Sequence, residues 1–128
     1  MKSVLLLAPE TLNIAETTRM IEVARAAQGD FTCHFMGYGG EYEHLITEAG
    51  FPLHRLTPTL TPKRVEELWK ADRMERGGRF FTEAELTERV QSELALYERI
   101  QPTAVVIGFT LSVYLSARAG QGPLVVIV

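Results

Sequence analysis

KSVLLLAPETLNIAETTRMIEVARAA, residues 2–27, contains a short apolar run, a turn and an amphipathic helix, in that order. Lys2 to Ala8 is a near-continuous series of Val and Leu, which suits a strand covered on both faces. Pro9 to Leu12 breaks the run, and a helical period follows. Asn13 is placed to cap that helix, because its side-chain oxygen can accept from the free amides of the first turn. Glu16, three residues on, can reach back to the amide of Asn13 in a capping box. Ile14, Thr17, Ile21, Ala24 and Gln28 recur at helical spacing, and Met20, Val23 and Ala27 widen the stripe. A buried strand feeding a helix is the first half of a right-handed crossover.

The same unit repeats downstream. Phe31–Met36 reads as a second strand, closed by the glycines of Gly37–Gly40. Glu41–Ala49 reads as a short helix with inner residues Tyr42, Leu45, Ile46 and Ala49, stopped by Gly50. Leu53–Leu56 is a third, shorter strand. Thr61-Pro62 opens a helix with Val65, Leu68, Trp69 and Met74 on its buried side. Thr82 and Glu85 form a second capping box before a helix from Glu83 to Ile100, whose apolar stripe is Leu86, Val90, Leu94, Tyr97 and Ile100. Ala104–Phe109 is a fourth strand and Thr110 caps a helix from Leu111 to Ala119. Gly120–Gly122 turn the chain into Leu124–Val128, a fifth strand.

Strand–helix alternation of this kind predicts one three-layer α/β/α Rossmann-like domain over residues 1–128, with five parallel strands in the order 3-2-1-4-5. The apolar final strand, with no helix after it, offers an edge on which a second copy can pair. Ligands in open α/β sheets sit beyond the carboxyl ends of the strands, where strand order reverses. Here that point lies between strands one and four. It brings together the turn of Glu10 and Asn13 and the turn of Gly108, Phe109 and Thr110.

Composition narrows the function. The 128 residues are 46% hydrophobic and 23% charged, with a net charge of −3, so there is no electrostatic reason to expect nucleic acid as a partner. No segment approaches the length of a membrane span. The single cysteine, Cys33, excludes an intrachain disulfide and suits a reducing cytoplasm. The first turn has no glycine and the second strand ends without an acid, which argues against a dinucleotide fingerprint. His34, His44 and His54 lack ligand spacing, so no metal is expected. Glu16 reads either as a general base beside the cleft or as a capping residue. Trp69, Phe80 and Phe81 either wall a pocket for an apolar ligand or pack their loop onto the sheet.

Three stretches together carry a family resemblance. NIAETTRMIEVARA (13–26), HLITEAGFPLHRL (44–56) and IQPTAVVIGFTLSVYLSARAGQGPLVVIV (100–128) resemble, in order, segments of the amino-terminal domain of GT-B-type glycosyltransferases. The resemblance implies an acceptor-side domain that binds a small-molecule acceptor, while a nucleotide-sugar donor binds a second domain or subunit. This chain would then hold no cofactor itself and transfer no sugar alone. It implies acceptor contacts from Asn13, Glu16, Tyr38, Phe109 and Thr110, with Trp69, Phe80 and Phe81 as apolar walls. Glu16 stands where the family commonly places a catalytic His, and Gly108 stands where it places an Asp. A rival reading is a non-catalytic Rossmann-like module that binds a partner protein. A flavodoxin-like small-molecule enzyme is a third.

Overall fold

The computed structural model describes residues 2–121 and 124–126. Strand β1 (Ser3–Ala8) leads into α1 (Ile14–Ala27), and β2 (Phe31–Gly37) into α2 (Glu43–Glu48) and β3 (Leu53–Arg55). Two helices follow, α3 (Pro62–Asp72) and α4 (Glu83–Ile100). Then come β4 (Ala104–Ile107), α5 (Leu111–Ser116), a π-helical turn (Ala117–Gln121) and β5 (Leu124–Val126). The strands are parallel, and β1 is flanked by β2 and β4, with Leu7 opposite Phe35 and Val106. β3 lies outside β2, giving the expected order 3-2-1-4. Three residues of β5 run beside β4. The rest of the expected fifth strand, and Gly122 and Pro123 before it, lie outside the described residues.

Alternation along β1 divides the interior into two layers. Leu5 and Leu7 pack with Met20, Ile21 and Ala24 of α1, Ile46 of α2, and Cys33 and Phe35 of β2. Leu6 and Ala8 face the other way, onto Leu96 and Tyr97 of α4 and Val113 of α5. Leu6 and Leu7 are both fully buried, and each such side chain contributes about 2 kcal/mol.

Several elements depart from their sequence reading. The fourth strand stops at Ile107 and the fifth helix at Ser116, before the π-helical turn. Ile14, expected in the α1 stripe, is exposed, and the buried face is Glu16, Thr17, Met20, Ile21 and Ala24. Trp69 is 41% exposed rather than buried, and Ala71 is the one buried residue of α3. Met74 lies past the end of α3 at a φ of +58°, off the helical stripe altogether. On α4 the buried face is Arg89, Glu93, Leu96 and Tyr97, so it is rotated from the apolar stripe toward two charged residues.

Candidate functional site

The carboxyl ends of β1, β2 and β4 meet at one rim, and Glu16 ties two of them together. Asn13 caps α1 as expected, its Oδ1 accepting from Glu16 N–H at 3.1 Å. The reciprocal half of the capping box is not made. Asn13 N–H donates to the carbonyl of Glu10 instead, at 2.9 Å. The Glu16 side chain turns inward, 5% exposed. Its Oε1 accepts from Glu10 N–H of the first turn and Phe109 N–H of the fourth, each at 3.0 Å. Its Oε2 is buried with no hydrogen-bond partner. Gly108 makes this possible, since a Cβ there would fall 2.1 Å from Oε1. The Glu at 16 and the Gly at 108 are thus one arrangement, and an Asp at 108 would have no room.

A second carboxylate does the same between the first and second turns. Glu43, at the start of α2, accepts through Oε2 from Gly39 N–H and Gly40 N–H. Its Oε1 accepts from Arg55 Nε and Nη2 at 3.1 and 2.8 Å. Gly37 leaves space for it, a Cβ there falling 2.4 Å from Oε2, and Gly39 has a φ of +91° that L side chains rarely adopt. The Gly37–Gly40 cluster is therefore more than a turn, because its amides converge on an anion that the chain supplies itself. Turn amides at helix starts are what hold phosphate in nucleotide-binding folds. Here Glu16 and Glu43 already accept from them.

Beneath the rim, on the α4 side, lies a buried polar cluster. The Tyr38 hydroxyl donates to Glu93 Oε2, and Ser112 Oγ donates to the same oxygen at 2.6 Å. Burial pushes the Tyr38 hydroxyl far up from its ordinary value, and the neighbouring Glu93 charge adds to this. Burial also raises Glu93, against hydrogen bonds from Ser112 and Tyr38 that lower it. The guanidinium of Arg89 lies over the Tyr38 ring at 3.9 Å and the Phe81 ring at 4.0 Å. Burial lowers the Arg89 value and the Glu10 charge opposes that. Glu10 is itself raised by burial and held down by Arg89.

The expected site residues fall into three groups. Asn13, Glu16, Phe109 and Thr110 are gathered at the rim. Phe109 is 71% exposed, while Thr110 is buried and donates its hydroxyl to the carbonyl of Ala8 at 3.0 Å instead of capping α5. Tyr38 and Phe81 meet through Arg89, and the Tyr38 hydroxyl is committed to the interior. Trp69 and Phe80 are exposed, and no bond or ring contact brings them to the rim. Sequence reasoning misses Arg89, Glu93, Ser112 and Glu43. The only available signal was the i, i+4 spacing of Arg89 and Glu93, which is also the spacing of an ordinary surface pair. His34 and His54 do meet, Nδ1 to Nε2 at 2.9 Å, yet among the described residues no group of three or more His, Cys, Asp or Glu is placed to hold a metal. No described helix is long and apolar enough to cross a membrane.

A parallel sheet in the order 3-2-1-4, with the first and fourth turns joined at its carboxyl rim, defines a Rossmann-like α/β domain. Among solved structures, the chain is similar to MurG of Acinetobacter baumannii, a GT-B glycosyltransferase, with a TM-score of 0.69 and 14% sequence identity. The match covers 98% of this chain and 34% of that one, so the chain spans about a third of that protein's length. The likeness is one of fold. No protein-family model matches the sequence, and no curated protein matches it.

Proposed function

We propose that the chain is the acceptor-side domain of a GT-B-like glycosyltransferase, one that needs a separate donor-binding domain or subunit and transfers no sugar alone. The observation that carries this reading is Glu16, which joins the first and fourth turns with one oxygen and keeps the other unpartnered. Were an acceptor hydroxyl to reach Oε2, which is buried in this structure, it would find a lone pair that no protein group uses, and Glu16 would take its proton as the hydroxyl oxygen bonds to the sugar and the nucleoside diphosphate leaves. Asn13, Phe109 and Thr110 would border the acceptor there, with Phe81 and Tyr38 nearby and Trp69 and Phe80 as outlying apolar surface. The nucleotide-sugar would bind the other lobe, consistent with rim amides that already serve the chain's own carboxylates. A match to about a third of a GT-B enzyme supports a partial assembly. The cytoplasm, where nucleotide sugars are made, fits the single buried cysteine.

The test is reconstitution. The chain is mixed with a candidate donor-binding domain and a UDP- or dTDP-sugar, and transfer to added acceptors is followed. Transfer should require both polypeptides, and Glu16→Gln should lower the rate of the pair at least about a hundredfold. An unaltered rate in the variant would remove Glu16 from the chemistry. The exposed apolar side chains of Phe109, Leu111 and Leu115 favour a second reading, a non-catalytic module that docks a partner protein. Under it, no combination yields transfer.

A further inference from the structure

Among the described residues, Met74 is the most exposed large apolar side chain, at 93%. Its φ of +58° is one that glycine or asparagine adopts more easily than a bulky residue. The turn that presents it is closely built. Met74 N–H donates to the carbonyl of Ala71 at 3.0 Å, and Glu75 N–H to that of Lys70 at 2.8 Å. Gly78 folds back so tightly that a Cβ there would fall 2.3 Å from the Ala71 nitrogen. Arg79 N–H then donates to the carbonyl of Glu67 at 3.1 Å, fastening the segment that carries the exposed Phe80 to α3, where Trp69 is also exposed. Met74, Phe80 and Trp69 thus belong to one fixed apolar projection.

A concave counterpart lies between α4 and α5. It is a cleft of about 560 Å³ lined by Leu86, Val90, Leu115 and Ala119, with Glu83 at its edge. A second cleft beside it along α4 shares Glu83 and adds Glu88. Arg118, although exposed, does not line either. Charge divides between the two surfaces. Residues 62–79 carry six basic and four acidic residues, whereas 83–98 carry five acidic residues and one basic. Arg76, exposed two residues past Met74, makes no ion pair with any described residue, and neither does Glu83 or Glu88. The projection is apolar with a spare cation, and the cleft is apolar with spare anions, so each surface supplies what the other lacks. Because they are different surfaces, their pairing closes into a finite assembly when each copy gives both, reciprocally. We infer that two copies of the chain associate about a two-fold axis, the Met74 turn of each seated in the α4–α5 cleft of the other, with Arg76 facing Glu83 and Glu88. An unbranched thioether suits an irregular cleft, and the charges set the register. This contact is separate from strand pairing at the β5 edge, and it stands whether or not the chain takes part in sugar transfer.

The experiment is sedimentation equilibrium on the intact chain. At about 100 μM it should be mostly dimer, as expected of a modest specific interface. Met74→Glu, Arg76→Glu and Glu88→Lys change exposed side chains, and each should raise the dissociation constant at least about tenfold. An equimolar mixture of the Arg76→Glu and Glu88→Lys chains should recover the dimer, because reversed charges meet at one of its two contacts and native charges at the other. A chain that stays monomeric would overturn the inference and leave the cleft to another partner. A dimer unmoved by all three variants would place the contact elsewhere, the β5 edge included, and overturn it too. Larger assemblies would remove the two-fold axis, and a mixture that stays monomeric would show that these charges do not meet. Should one variant fail to fold, the wild type and the remaining variants decide.

Discussion

Gly108 and Glu16 share one volume, which makes their coupling measurable. A methyl group at 108 would sit 2.1 Å from Glu16 Oε1 and 2.5 Å from its Cδ, so the carboxylate must leave its two amides or the backbone must shift. Gly108→Ala should therefore destabilise the fold by about 1–3 kcal/mol, the range of overpacked interiors. Glu16→Ala vacates the space, and the double variant should cost clearly less than the two single changes summed. Urea denaturation of the four proteins gives the coupling, and strict additivity would show that the two residues do not share the site. At this scale the sequence was partly legible. Asn13 is a cap in both readings because a cap needs only the residues beside it. For Glu16 the capping-box half of the reading fails, because the amide that recruits its side chain belongs to Phe109, more than ninety residues away.

Among the elements, α4 shows where periodicity runs out. The apolar spacing of Leu86, Val90 and Leu94 selects a face that is only half buried, while Arg89 and Glu93 point inward. Two charged residues one turn apart read as a solvated pair, unless Tyr38 and Ser112 are known to wait opposite them. The start of the same helix was legible because its signal is local. Thr82 accepts from Glu85 N–H at 3.1 Å, and Glu85 accepts from Thr82 N–H at 2.8 Å. Thr82→Ala should cost about 1 kcal/mol in thermal or chemical denaturation, and an unchanged midpoint would mean that Arg64 alone holds Glu85. The β2–β3 pairing carries its own titration. His34 and His54 stack with ring centroids 5.1 Å apart, and burial lowers both from their ordinary value of 6.5, with Arg99 and His34 adding to the effect on His54. The unfolded chain then binds protons before the folded one does, so stability should be full above pH 6.5 and fall as pH drops through and below it. Hydrogen exchange of the β3 amides at pH 7.5 and 5.5 checks this. Equal protection at the two values would mean that the pair does not secure the edge strand.

At the scale of the whole molecule, strand order was legible because crossover handedness and the spacing of apolar runs leave few alternatives. Those rules place a hollow at the reversal of strand order but do not say what fills it. A phosphate-binding domain of this architecture presents free amides at its first turn. This one directs the amides of Glu10 and Phe109 at Glu16 and those of Gly39 and Gly40 at Glu43. A diphosphate brought to the rim would have to displace two buried carboxylates and then lie beside them, in a chain whose net charge is already −3. Repulsion and the lost hydrogen bonds act in the same direction. Isothermal titration of the isolated chain with UDP should therefore detect no binding tighter than about 1 mM. Binding should become measurable only when a donor-binding partner is present. Micromolar binding of UDP to the chain alone would mean that the rim opens to accept phosphate, and the division of acceptor and donor between two lobes would have to be abandoned.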